Sequence, residues 1–384
     1  MALTIPAASA ATETSGMCRK VEQDVKAFMA THGVPGLAFG VVRNGSVICA
    51  QGLGTTGLRT GGDVTADTNF HMASISKTFV GVSLMQLAMA GKVDLDKPVA
   101  SYLPEFKLND PHYKRITVRH MLKHRSGLPD IDESDDYGIK GYGWDKPEYD
   151  AGALDRYVAS LADLKLLSDP GSKFWYSNIA YEVLGAVIAR VSGQSFEDYV
   201  ATHILKPAGM ATSSFFYPAP GAISQARPHT PDVNRRQIER TDYPYNRAHG
   251  PSSTLESNVG DMNRWMITAM NRDPEILPCK GWDILWQPGP EPIDIESNGD
   301  EAPGTRMGLS YYIFRSGQTN FVGHTGGDIG FKTAFLMDLK TRSGIVIMAN
   351  TDVSMKTGEY LTPLSDLTVN LLNSLHQNAE RQNH

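Results

Sequence analysis

Three short clusters of polar residues contain the side chains best suited to chemistry. The first holds Ser74 and Lys77, three residues apart where an apolar segment with helical periodicity begins. On a helix such residues share a face, so the Ser74 hydroxyl and the Lys77 amine can form a hydrogen bond. Serine becomes a nucleophile when a base takes its proton, and burial lowers the pKa of an amine enough to suit it for that task. The pair therefore predicts nucleophilic catalysis, although a motif with two fixed positions also arises by chance.

The other two clusters lie further along the chain. Tyr176, Ser177 and Asn178 precede a second helical segment, and His324-Thr325-Gly326-Gly327 lies on an extended segment near the C-terminus. Taken singly, Tyr176 and Asn178 would be a helix-entry tyrosine and an N-cap, and His324 an ordinary strand histidine. Taken together, the three clusters in this order resemble the serine β-lactamase and penicillin-binding-protein superfamily. The Tyr-Ser-Asn cluster is more similar to the class C and esterase branch, and the resemblance extends from about residue 20 to 375.

The resemblance implies a role for each matching residue. Ser74 matches the acylated nucleophile, Lys77 its proton partner, and Tyr176 the residue that shares general acid–base work with the lysine. Which of Lys77 and Tyr176 is the base stays open, because two coupled groups titrate as a pair. Asn178 matches an amide that contacts substrate and lysine. The backbone N–H groups of Ser74 and Gly327 match the oxyanion hole.

The third cluster departs from the penicillin-recognising pattern. Enzymes acting on β-lactams usually carry Lys-Thr-Gly there, and the lysine helps to hold the substrate carboxylate. Here the position is His324, and an ordinary histidine is largely neutral near pH 7.5. We therefore expect a weaker and pH-dependent attraction for carboxylates. His-Thr-Gly looks like the pattern of the esterases, D-amino-acid amidases and aminopeptidases of this superfamily.

The leading hypothesis is a serine hydrolase that acts on a small-molecule ester, amide or short peptide through an acyl-enzyme on Ser74, with a slight preference for esters. One alternative is D,D-peptidase or β-lactamase-like activity. Another, from a different class, is a binding or sensor protein that is acylated once without turnover, or a structural relative that has lost catalysis. Turnover separates these hypotheses, because only an enzyme regenerates free Ser74.

Composition narrows the choice of partners. The chain of 384 residues is 41% hydrophobic and 20% charged, which is ordinary for a soluble globular enzyme, and its net charge of -6 argues against a nucleic-acid surface. The most apolar segment, residues 79–90, is too short to span a bilayer. The three cysteines indicate neither a disulfide framework nor a zinc site, although one disulfide is possible.

No cofactor and no metal are expected. His120 and His124 have the i, i+4 spacing of zinc ligands, but no His-Glu-x-x-His motif is present, so scaffold residues are the favoured interpretation. An acidic segment is read as a solvated face, with a bias towards cationic substrates as the alternative; it comprises Asp130, Asp132, Glu133, Asp135 and Asp136. Tyr243, Tyr245 and His249 either line the pocket or are surface aromatics of a loop.

The fold predicted from the pattern is mixed α/β, of the α+β type. Strands are predicted over 37–42, 46–51, 308–314, 321–324, 331–338 and 344–349, with a tight turn at Asn44-Gly45. A last helix is predicted over 360–375. Since the N-terminal hairpin cannot bury its faces alone, it is expected to join the C-terminal strands in one antiparallel sheet flanked by the terminal helices.

The helical middle of the chain is then an inserted lobe. We assign a single hydrolase domain to 19–384, with a sheet lobe at about 19–92 and 301–384 and a helical lobe at about 93–300. Ser74, Tyr176 and His324 would meet at the seam. Residues 1–18 are interpreted as a flexible tail or the remnant of an export signal, because residues 8–10 have the small-x-small form of a cleavage site. A periplasmic or secreted location is therefore expected, with the cytoplasm as the alternative, and oligomeric state is left open.

Overall fold

The fold is centred on a seven-stranded sheet. The computed structural model describes residues 7–130, 147–290, 292–293, 304–351 and 363–382, and the side chains of 15–377 within them. Every neighbouring pair in this sheet is antiparallel, and the strand order is β2-β1-β12-β11-β10-β9-β8. The strands are β1 (Gly36–Arg43), β2 (Ser46–Gly54), β8 (Arg306–Met307), β9 (Tyr312–Ser316), β10 (Thr319–Asp328), β11 (Phe331–Asp338) and β12 (Ser343–Ala349).

The remaining strands are short and lie outside this sheet. They are β3 (Thr68–His71), β4 (Ser224–Gln225), β5 (His229–Pro231), β6 (Gln237–Glu239) and β7 (Glu256–Ser257). The helices are α1 (Ala7–His32), α2 (Ser76–Met89), α3 (Val118–Leu122), α4 (Ala153–Ser160), α5 (Asn178–Ser192), α6 (Phe196–Val200), α7 (Gly250–Ser253), α8 (Val259–Met270), α9 (Cys279–Leu285) and α10 (Pro363–Gln382).

The two faces of the sheet carry two separate cores. On one face, side chains of β1, β11 and β12 pack against α1 and α10. On the other face, the larger core runs from the sheet through α2, α5 and α8 into the helical middle of the chain. Strand β1 is buried along its whole length because it lies between two strands and under helices on both faces, which explains its nearly unbroken apolar sequence.

The expected sheet is confirmed. Asn44 and Gly45 both have positive φ (51° and 73°), as a two-residue hairpin turn requires, and β1 pairs with β12 in the register Leu37↔Ala349. The strand predicted over 308–314 is instead two short strands, β8 and β9. The chain turns between them at Ser310, which has a φ of 64°, and the Gly308 N–H donates to the Tyr311 carbonyl.

The ends of the chain differ from the expectation. Helix α1 begins at Ala7, so residues 7–18, which were assigned to a flexible tail, are helical. The possible disulfide is present between Cys18 of α1 and Cys49 of β2, with the two Cα atoms 5.6 Å apart. The last helix, predicted over 360–375, runs from Pro363 to Gln382. Lobe boundaries at 93 and 300 stay a prediction.

No helix among the described residues is long and apolar enough to cross a membrane.

Candidate active site

Ser74 lies in a 3₁₀ turn, Ala73–Ile75, that leads directly into α2. The helix expected to open at Ser74 therefore begins two residues later. Ala73 has a φ of 48°, a left-handed conformation that is unfavourable for a residue with a side chain and is maintained by surrounding contacts. One such contact is the hydrogen bond from the Met72 N–H to the Leu255 carbonyl (2.7 Å). The turn presents the Ser74 side chain to the residues described next.

Lys77 is fully buried one helical turn after Ser74. Its Nζ donates to Ser74 Oγ (3.0 Å), to Asn178 Oδ1 (2.5 Å) and to the Ser252 carbonyl (3.0 Å). Burial lowers the pKa of Lys77 to about 8, although the negative charges of Asp130, Glu182 and Asp328 oppose this shift. The amine is thus held in place and can lose its proton near neutral pH.

Tyr176 is the second side chain in contact with Ser74. Its hydroxyl donates to Ser74 Oγ at 2.9 Å. Ser177 is the extended N-cap of α5, and its Oγ accepts from the Ala180 N–H, so the helix begins at Asn178 and Tyr176 stands just before it. The N-cap reading of this cluster thus applies to Ser177 and not to Asn178. Tyr176 and Asn178 reach Ser74 and Lys77 from one rigid helix start.

Two residues from an earlier part of the chain, His124 and Asp130, hold the Tyr-Ser-Asn cluster in place. His124 is buried, and its Nδ1 accepts the Ser177 N–H (3.0 Å) while its ring stacks on Tyr176 with centroids 4.3 Å apart. Asp130 Oδ1 accepts from the backbone N–H (2.7 Å) and Nδ2 (3.0 Å) of Asn178. Burial, with a smaller contribution from the charge on Lys77, lowers the pKa of His124 well below 6.5, so this ring is neutral.

These contacts correct the interpretation of Asp130 as part of a solvated face, since its carboxylate is half-buried against Asn178. The other acidic residues of that segment lie outside the described residues. His120 does not act with His124: its Nδ1 accepts the Thr117 N–H in the capping box of α3. In the part of the chain that the structure describes, no group of three or more potential ligands is placed to hold a metal ion.

His324 is buried in β10 and packs against Tyr312, with ring centroids 4.6 Å apart. Its Nδ1 donates to the Thr325 carbonyl (2.5 Å). Burial and, to a smaller extent, the charge on Lys77 lower the pKa of His324 to about 3. A charge that varies near neutral pH was expected, but the ring is neutral throughout that range.

Two consecutive glycines of β10 serve different purposes. A Cβ on Gly326 would lie 2.3 Å from the Met72 carbonyl oxygen and 2.4 Å from Thr333 Oγ1, so only glycine allows β10 to approach the turn that carries Ser74. A Cβ on Gly327 would meet only the Lys332 side chain, with Nζ at 2.4 Å. The absence of a side chain at 326 therefore lets β10 lie against Met72 and Ala73, directly before Ser74 in the chain.

This constellation lies within a segment matched by a family model. The model described as Beta-lactamase matches residues 21–370. The chain belongs to this family of β-lactamase-fold serine hydrolases. Protein flp of Staphylococcus aureus (strain COL) is 26% identical over 324 residues, which are 83% of this chain and 60% of that protein. The chain thus spans well under two thirds of the length of this curated relative.

Solved structures of the β-lactamase fold agree with the architecture. D-amino acid amidase from Ochrobactrum anthropi SV3, complexed with L-phenylalanine amide, superposes with a TM-score of 0.76 at 21% identity and covers 96% of this chain and 99% of its own. A class C beta-lactamase superposes with a TM-score of 0.74 at 18% identity, covering 94% and 97%. At these identities the likeness establishes the fold, and it confirms the mixed α/β class with its antiparallel sheet.

Three aromatic residues between β6 and α7 were predicted either to line the pocket or to lie on the surface of a loop. Tyr243 stacks on Tyr217 with centroids 3.8 Å apart, and its hydroxyl donates to Glu256 Oε1 (2.7 Å). Tyr245 and His249 are buried, and His249 Nδ1 lies 3.1 Å from Glu182 Oε1. The interpretation as surface aromatics is therefore wrong for Tyr245 and His249, whereas Tyr243 is half-buried.

Proposed function

We propose that the protein is a hydrolase that forms an acyl-enzyme on Ser74 and turns over an ester, a small amide or a short peptide. The observation that carries this proposal is the position of Ser74 Oγ, 3.0 Å from Lys77 Nζ and 2.9 Å from the Tyr176 hydroxyl. Both neighbours can exchange protons, and Lys77 has no contact with solvent. An activated serine of this kind is what nucleophilic catalysis requires.

The reaction would proceed in two halves. The Lys77–Tyr176 pair takes the proton of Ser74 while Oγ forms a bond to the substrate carbonyl carbon, whose π electrons move to oxygen. That oxyanion accepts hydrogen bonds from the N–H groups of Ser74 and Gly327, each typically worth about 3 kcal/mol. The electron pair on the oxyanion then returns to re-form the carbonyl as the C–O or C–N bond breaks, the pair of residues protonates the leaving group, and the acyl group stays on Oγ. Water repeats the sequence and releases the carboxylic acid.

Asn178 supports this cycle by its contact with Lys77. Because Asn178 Oδ1 and the Ser252 carbonyl both accept from Nζ, the amine keeps one orientation towards Ser74 as its charge changes. Asn178 in turn is held by Asp130. We therefore assign Lys77 and Tyr176 to proton transfer and Asn178 to their orientation and to contact with substrate.

The electrostatics of the third cluster favour neutral substrates. His324 is uncharged at neutral pH, so it offers no cation to a substrate carboxylate. This supports ester or amide hydrolysis of the kind implied by the His-Thr-Gly pattern. One observation favours the alternative, D,D-peptidase or β-lactamase-like activity: the Lys332 side chain of β11 lies against Gly327 and places a positive charge at that end of β10.

The disulfide bears on location. Cys18 and Cys49 are joined, and such bonds persist in oxidising compartments. This supports a periplasmic or secreted location over the cytoplasm.

The test is intact-protein mass spectrometry of wild type and Ser74→Ala after brief mixing with a p-nitrophenyl butyrate ester, a cephalosporin or a D-alanine p-nitroanilide. Product release is followed in parallel. A transient adduct on wild type alone, with continued turnover of the ester or anilide, is the expected result. Preferred turnover of the cephalosporin would support the alternative, and a stable adduct without turnover would indicate a sensor. A folded Ser74→Ala protein with near-normal turnover would refute the assignment of the nucleophile.

A further inference from the structure

A buried cluster of ionisable residues joins the two strands that end at the site. His71 is the last residue of β3, three positions before Ser74, and Asp328 is the last residue of β10, directly after Gly327. His71 Nε2 lies 3.0 Å from Asp328 Oδ2, and both side chains are almost completely buried. A single ion pair thus connects the two chain segments whose N–H groups form the proposed oxyanion hole.

We propose that the His71–Asp328 ion pair sets the separation of the Ser74 and Gly327 N–H groups, which makes His71 and Asp328 positioning residues for catalysis. This inference rests on the proposed function. An oxyanion hole acts through the distance of its donors from the developing charge, so a small displacement of β10 from the nucleophile turn weakens it. The pair spans that gap.

The surroundings of His71 determine its charge. Nδ1 lies 3.4 Å from Glu256 Oε1, an ion-pair distance without good hydrogen-bond geometry, and Glu256 is the cross-strand partner of His71 in β7. Tyr243 and Phe331 face the ring with centroids 5.9 Å and 5.7 Å away. Burial alone would lower the pKa of His71, but the two carboxylates close to its ring, those of Asp328 and Glu256, outweigh burial and raise the pKa to about 9.

The other groups near the pair do not titrate in its place. Burial and the charge on Glu256 raise the pKa of Tyr243 well above 10, so it stays neutral. Lys77 lies close enough to Asp328 to feel its charge, and its own proton is lost about one pH unit earlier. His71 is therefore cationic at neutral pH, and the attraction between β3 and β10 falls as the pH passes about 9.

A second contact holds the nucleophile turn against the sheet without an ionisable group, and it involves β11, the strand next to β10. Thr333 Oγ1 of β11 donates to the Met72 carbonyl (2.9 Å) and is buried. Removal of this bond loosens the contact between the nucleophile turn and the sheet by an amount that does not depend on pH. Thr333→Val is thus a matched comparison for His71→Gln, in which the loss depends on protonation.

The experiment compares kcat and KM for p-nitrophenyl butyrate between pH 6 and 10.5 in wild type, His71→Gln and Thr333→Val. At pH 8 we expect His71→Gln to lower kcat about tenfold, a fraction of the loss for a whole donor, with KM within about twofold. The deficit should disappear by pH 10.5, where the wild-type histidine is neutral, whereas that of Thr333→Val should stay constant. A constant ratio of wild type to His71→Gln across this range, or no deficit, would overturn the inference.

The control histidine variant is His376→Gln, which breaks the buried His376–Asp338 pair between α10 and β11. It should leave kcat and its pH profile unchanged.

Hydrogen exchange provides a readout independent of turnover: peptides covering 72–75 and 326–328 should exchange faster in His71→Gln than in wild type. If His71→Gln does not fold, the exchange rates of the same peptides are compared in wild type at pH 7 and pH 10.5, after correction for the intrinsic effect of pH on exchange. If wild type hydrolyses no substrate, the proposed function fails. Equal hydrogen-exchange rates of these peptides in wild type and His71→Gln would still overturn the present inference.

Discussion

The pKa of Lys77 yields a prediction about the acidic limb of the pH–rate profile. A shift from the ordinary 10.5 to about 8 corresponds to roughly 3 kcal/mol in favour of the neutral amine. About one tenth of the molecules then carry neutral Lys77 at pH 7, and the neutral fraction rises roughly 50-fold between pH 6 and pH 8. We expect kcat/KM for a p-nitrophenyl ester to follow this rise, with an apparent midpoint that belongs to the Lys77–Tyr176 pair.

The decisive perturbation is Asp130→Asn. The charge of Asp130 is the largest influence opposing the lowered pKa of Lys77, so its removal should lower that pKa further and move the midpoint of the limb to lower pH. Asparagine retains an oxygen that can accept from the Asn178 N–H, so the geometry of the cluster is preserved. Glu182→Gln should shift the limb in the same direction, because its charge acts on Lys77 as well.

The assay is stopped-flow measurement of p-nitrophenol release for wild type and each variant. At low pH, formation of the acyl adduct is followed by intact-protein mass spectrometry instead. Asp163→Asn removes an exposed carboxylate elsewhere on the surface and controls for net charge. A limb that stays in place in Asp130→Asn, or one that survives in Lys77→Arg, would show that Lys77 is not part of the titrating pair and would refute the reasoning.

Three further predictions follow from the site and its frame. Gly326→Ala should lower kcat at least a hundredfold, the order of one lost oxyanion donor, because its Cβ would collide with a backbone carbonyl; Gly327→Ala, which displaces only a flexible side chain, should cost less than tenfold. Equal kinetics of the two variants would contradict this. His324→Lys should raise kcat/KM for carboxylate-bearing substrates relative to neutral esters, and an unchanged ratio would argue that position 324 does not face the carboxylate. Replacing Cys18 and Cys49 by Ser should lower the free energy of unfolding by up to about 4 kcal/mol in urea titrations, since their bond closes a loop of 31 residues; equal midpoints would count against it.

The sequence predicts those parts of the site that depend on local geometry. Ser74 and Lys77 share a helix turn, and Tyr176 and Asn178 flank one helix start, so spacing alone brings each pair together. The sheet is predictable for a similar reason, because period-two patterns and an Asn-Gly turn are local signals.

The remainder depends on contacts between distant segments. Asp130 stands at the start of an acidic run, a pattern typical of surfaces, and only the fold reveals its bond to Asn178. His71 and Asp328 have no common motif, and their pairing follows from how β10 crosses the nucleophile turn. The charge of His324 does not vary with pH in the neutral range because the ring is buried, and no single-sequence pattern indicates that burial.

The pairing of β1 with β12 has a consequence for how the protein matures. Leu37 is made about 300 residues before Ala349, yet the two lie opposite each other in the sheet. An unfinished chain can carry Ser74, Lys77 and Tyr176 but lacks β10 to β12, and with them Gly327. Long-range strand pairing of this kind is slow, and here it awaits the synthesis of β12. Hydrolytic capacity would accordingly arise only after β12 has been made, so that a molecule ending before β10 is inert towards acyl compounds around it.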